Sequence, residues 1–150
     1  ALIKLGVPDY AAHMFIFYYA VLSEVSPPTA LSPFAAAAIT GGDPYKTTLQ
    51  SWKYTLPAFL VPFMFVLDPA GQGILLKGSW QDIFLSSGTA MIGIAALAGG
   101  AQGWFLKKTN LLERLLLIAA GLALVYPQPL ADAIGVGLIG AVVLIQKFRH

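Results

Sequence analysis

Residues Ser23-Glu24-Val25-Ser26-Pro27-Pro28-Thr29 interrupt an apolar run that runs from Tyr10 to Leu22 on one side and from Ala30 to Thr40 on the other. As one straight helix, Tyr10 to Thr40 would extend about 46 Å, against a hydrocarbon core of about 30 Å. Two adjacent prolines cannot sit inside a helix without loss of hydrogen bonds. Pro27 cannot donate to the carbonyl of Ser23, nor Pro28 to that of Glu24. In hydrocarbon an unpaired carbonyl costs several kcal/mol, so a break is tolerated only where something polar answers it. The helix is therefore expected to stop between Ser23 and Thr29. Ser26 is expected to cap the second half, with Pro27 at its first position and Thr29 in its first turn.

Such a break carries chemistry. Unpaired carbonyls at Ser23 and Glu24, with the hydroxyls of Ser23, Ser26 and Thr29, suit a small hard cation such as sodium. The exposed amides of the second half-helix suit a carboxylate. Secondary transporters hold ions and anionic substrates in this way. The alternative is a kinked structural helix. Glu24 is an acid inside an apolar span. It is a functional group or one that only solvates the break. His13 lies eleven residues earlier on nearly the same face, about 16 Å away and too far to pair. It reads as an interfacial or packing residue. Tyr10, Phe15, Phe17, Tyr18 and Tyr19 read as packing and interface aromatics, and Trp52, Trp80 and Trp104 as belt residues.

The rest of the chain fits a membrane. Of 150 residues, 57% are hydrophobic and 11% charged, where a soluble domain carries about 25% charge. Mean hydropathy is +0.74. A net charge of +2 gives no basis for nucleic-acid binding, and the absence of cysteine excludes disulfides and thiol chemistry. The chain opens without a basic leader pattern, inside an apolar stretch, and reads as a piece of a longer protein.

Five membrane segments are expected, in an all-α polytopic protein. The discontinuous helix is the first. Gly41-Gly42-Asp43-Pro44 ends it and starts a surface-lying arm, which becomes apolar from Tyr54 to Leu67 as the second span, with Pro57 and Pro62 inside it. A polar linker covers 71–82. The third span is expected from about Ile83 to Leu106, with Gly99 and Gly103 at a spacing that lets helices approach. The fourth, Leu111 to Tyr126, and the fifth, Leu130 to Ile145, are about 24 Å each. They either span or form a re-entrant hairpin. Residues 1–70 thus form one unit and 83–150 a carboxy-terminal membrane extension. Alternate loops carry Lys46, Lys53, Lys107, Lys108, Arg114, Lys147 and Arg149 on one side, and Lys4 and Lys77 on the other. Seven against two places the Gly41–Lys53 loop and the carboxy terminus inside. Lys107-Lys108 reads as a topology anchor.

The run from Ala11 to Ala70 also resembles a known family. His13-Met14-Phe15, the Ser-Pro-Pro break, the Gly-Asp-Pro turn and the "PFMFV" run, in this order, resemble the large permease subunit of tripartite ATP-independent periplasmic (TRAP) transporters. The likeness is to fused permeases of the TAXI type. Asn110-Leu111-Leu112-Glu113-Arg114 resembles their carboxy-terminal extension. The resemblance implies part of an elevator-type secondary transporter of the bacterial or archaeal inner membrane. Sodium would drive uptake of an organic acid delivered by a periplasmic binding protein. It implies that the first repeat, both hairpins and the small-subunit region lie outside this chain. Ser26, Pro27, Pro28 and Thr29 match the family's break, with Ser26 where threonine is common. Together with Ser23 and Glu24 they are the candidate ion and substrate site. Sodium would be the coupling ion; no cofactor is implied.

No HExxH, phosphate loop or Ser–His pairing supports an enzyme, and energy must come from an ion gradient or from a partner. A non-transporting membrane scaffold with a kinked helix is the competing class. An intramembrane hydrolase using Glu24 or His13 would need a second acid or a metal triad.

Overall fold

The computed structural model describes residues 1–148; Arg149, counted above among the loop charges, lies outside them. Among the described residues the chain is helical, with one isolated bridge, Trp104 to Lys108, in place of any strand. Helix α1 is Asp9–Leu22, α2 Leu31–Thr40, α3 Pro44–Thr55, α4 Val61–Val66, α5 Trp80–Gln102, α6 Leu111–Val125 and α7 Pro129–Phe148.

Local chemistry sets most of these boundaries. Asp43 caps α3 by accepting from the Lys46 amide at 2.8 Å, with Pro44 in the first turn, as the Gly-Asp-Pro turn predicts. Ser79 and Asp82 form a reciprocal capping box at the start of α5, and Asn110 and Glu113 another at the start of α6. Helix α5 therefore starts earlier than expected and stops at Gly103, which takes φ +82°.

The second span does not form as one helix. After α3 the chain tightens into a 3-10 stretch, Leu56–Leu60, and returns to α-helix only for Val61–Val66. The reason is Pro57 and Pro62, each without an amide. The Lys53 carbonyl that Pro57 leaves open accepts from Gln102 Nε2 of α5 at 3.0 Å. The Ala58 carbonyl that Pro62 leaves open accepts from the Val61 amide. Two helices, α5 and α7, are long and apolar enough to cross a membrane. The last segment is longer than expected, with 20 residues.

The stretch 71–82 is built into the fold. Pro69–Leu75 is a 3-10 helix with Gly71 and Gly73 buried. A Cβ on Gly71 would lie 1.7 Å from the Met64 carbonyl oxygen, so no other residue fits.

Helices α5, α6 and α7 pack antiparallel in a row, and glycines set their spacing. Gly93 meets Leu124, Gly100 meets Ile118, Gly121 meets Leu97 and Gly135 meets Leu124. Gly99 and Gly103 do not serve this contact. Gly99 faces Phe105 in its own loop, and Gly103 ends the helix. The tip of the α6–α7 hairpin, Pro127, sits beside Gly71, and its base sits beside Leu106. The hairpin thus runs the length of α5. At its base, buried Gln146 accepts from the amides of Leu106 and Lys107 at 3.1 and 3.2 Å. Its own amide donates to buried Glu113 at 2.9 Å.

Candidate functional site

The interruption lies where the proline pair predicts it. Helix α1 ends at Leu22, and Ser23–Val25 continue as one 3-10 turn. Ser26 is extended at φ −121° and ψ 149°, the conformation imposed on a residue before proline. The Pro27–Pro28 bond is cis. Ala30, buried and at φ 45°, turns the chain into α2.

The second half-helix therefore begins at Leu31, and Ser26 is not its cap. Pro28 is the physical cause. It keeps Pro27 out of the helical region, so Pro27 cannot be the first helical residue. Released from capping, Ser26 donates its hydroxyl back to the Leu22 carbonyl at 3.1 Å. Ser23 likewise donates to Ala20 at 2.7 Å. Thr29 donates to the Ser23 carbonyl at 2.5 Å and replaces the amide that Pro27 lacks. The Ser26 carbonyl accepts from the Ala30 amide at 3.0 Å.

Two sets of polar groups remain. The Glu24 carbonyl, left open by Pro28, has no donor among the described residues, and the Glu24 side chain is exposed. Helix α2 has no side-chain cap. The break thus places an open carbonyl at one half-helix and uncapped amides at the other. The oxygens of Ser23, Ser26 and Thr29 donate their hydrogens to backbone and keep lone pairs. A cavity of about 360 Å³ beside the break is lined by Pro27, Pro28, Phe34, Tyr45, Thr48 and Leu49. Among the described residues no cluster of three or more metal-type ligands exists.

His13 is exposed on α1 beside Leu2 and Ile3, away from the break. Phe15 and Tyr19 pack on Phe63 and Phe59, with ring centroids 5.5 and 6.0 Å apart. The Tyr19 hydroxyl donates to the Phe59 carbonyl at 2.6 Å, a bond that hydropathy does not foretell. Trp52, Trp80 and Trp104 are exposed near helix ends.

Residues 1–70, which contain the break, match the family described as the tripartite ATP-independent periplasmic transporter, DctM component. No curated protein and no solved structure matches the chain. The family is one of membrane transporters, not enzymes. Residues 1–70 are thus similar to the DctM component, the large permease of TRAP transporters.

Proposed function

We propose that this chain is part of a sodium-driven permease that takes up an organic acid in the inner membrane, with its break forming part of the ion and substrate site. The observation that carries the proposal is the break itself. It lies within the matched segment and leaves the Glu24 carbonyl without a donor among the described residues and the start of α2 without a side-chain cap. A compact turn rich in neutral oxygens suits sodium, and the amides of α2 suit a carboxylate. The family implies a periplasmic binding protein and a small permease subunit as partners. Residues 83–150 would serve as the membrane extension of a fused permease, embedded in lipid.

The bonding at the break favours one competing reading. Each of its three hydroxyls donates to a backbone carbonyl, which is also what a structural kink requires. Thr29 separates the two. Thr29→Ala opens the Ser23 carbonyl, and Thr29→Ser keeps a hydroxyl there. Uptake into proteoliposomes is measured as sodium is varied, with the complete transporter and its binding protein. The alanine variant is expected to need at least about fivefold more sodium, a change of about 1 kcal/mol, with the serine variant close to wild type. Unchanged sodium dependence in Thr29→Ala and Ser26→Ala would make the break structural.

A further inference from the structure

Two adjoining cavities meet at Tyr10 and Lys77. One, of about 390 Å³, is polar and is lined by Tyr10, Gln72, Lys77, Gly78 and Asp82. The other, of about 400 Å³, is an apolar groove walled by Met14, Ile74, Leu75 and Leu76. Lys77 Nζ lies 5.4 Å from the centre of the Tyr10 ring, within the range of a cation–π contact. The Tyr10 hydroxyl donates to Gln72 Oε1 and fixes the ring. Asp82 accepts from Ser79 through its amide and hydroxyl, at 3.1 and 2.7 Å, and a carboxylate has room for further donors. Leu76 holds φ 59° and is 73% exposed. That left-handed conformation is strained for a leucine and free for a glycine. Its apolar side chain nonetheless stands on the groove wall.

We propose that Tyr10, Gln72, Lys77 and Asp82 hold the headgroup of a phospholipid bearing a primary amine, with one acyl chain in the Met14–Leu76 groove. Charge complementarity selects the headgroup. The polar cavity presents an ammonium at Lys77 and a carboxylate at Asp82. A phosphate alone meets Asp82 unfavourably. A phosphate linked to a primary ammonium satisfies both, and unlike a quaternary ammonium it donates hydrogen bonds to the carboxylate. The apolar groove opening from the same cavity selects a lipid over a free phosphoamine. Trp80, 75% exposed beside Ser79, gives this end of the molecule an interfacial aromatic. The proposal needs a membrane location only, and stands whether or not the break binds sodium.

The test is native mass spectrometry of the delipidated protein in its full natural length, titrated with phosphatidylethanolamine, phosphatidylglycerol or phosphatidylcholine of equal chain length. The ethanolamine lipid is expected to bind at least about fivefold more tightly than the other two. Asp82→Asn, which keeps an acceptor for Ser79, should remove most of that preference, and Lys77→Gln should weaken binding of all three lipids. Leu76→Ser should weaken the lipid, and glycerophosphoethanolamine without chains should bind much more weakly than the lipid. Equal binding of the three lipids, an unchanged preference in Asp82→Asn, undiminished binding in Lys77→Gln, or equal binding of the chainless headgroup overturns the proposal.

Discussion

A proline inside a helix leaves its mark four residues earlier, on the carbonyl that loses a donor. Pro27, Pro28, Pro57 and Pro62 each open one, and three of these four find different answers. Thr29 answers Ser23 from six residues on, Gln102 answers Lys53 from 49 residues on, and Val61 answers Ala58 through a 3-10 bond. Glu24 has no donor among the described residues, and neither has the Thr29 carbonyl opposite Pro33, so both are open to an outside donor or ligand. The Lys53 pair can be tested directly. Gln102→Leu strips a carbonyl of its donor and is expected to cost about 1–2 kcal/mol. In a Pro57→Ala background a backbone amide is available again, so the same change should cost clearly less. Thermal unfolding of the four proteins of the cycle in detergent measures this, and strict additivity would refute it. The prolines, and hence the interruptions, were legible in the sequence. The partners were not, because hydropathy does not say which distant side chain will reach an open carbonyl. For the same reason Ser26 was expected as a cap, although Pro28 forbids the helix start that a cap would serve.

Among the elements, the three carboxy-terminal helices show what the sequence carries and what it does not. Their caps are written locally, as Ser79 with Asp82 and Asn110 with Glu113. Their contacts are not, because a glycine-rich helix offers several small-residue stripes and the sequence does not rank them. The stripe through Gly99 and Gly103 faces a loop and a helix end, and the one through Gly93 and Gly100 faces α6. A matched pair tests this assignment. A Cβ at Gly121 would lie 2.3 Å from Leu97 Cγ and 2.8 Å from the Gly93 carbonyl oxygen. Gly121→Ala is therefore expected to destabilise by about 1–3 kcal/mol. Gly137 has nothing within 4 Å, so Gly137→Ala should be neutral or gain up to about 0.8 kcal/mol of helix propensity. Comparable melting losses in the two variants would refute the packing.

At the scale of the whole molecule, contacts sort the loops into two ends. Lys53 lies beside Gln102, and Gln146 beside Lys107, at one end. Tyr10 lies beside Gln72 and Lys77, and Gly71 beside Pro127, at the other. This is the grouping that alternate loop charges give, so the positive end is expected to face the cytoplasm. Cysteines at Lys46 and Lys147 should resist an impermeant reagent added to intact cells, and one at Lys77 should react. The reverse pattern would refute the orientation. The helical, apolar character of the chain was legible from composition. The second span was not, because apolar content says nothing about whether successive prolines allow one helix.

The bond between Gln146 and the α5–α6 loop has a consequence for synthesis. The amides of Leu106 and Lys107 are made some forty residues before their acceptor. Until Gln146 is made, those two amides lack this acceptor. The last turn of α7 therefore works as a keystone. Only when it arrives do the two loop amides find their acceptor.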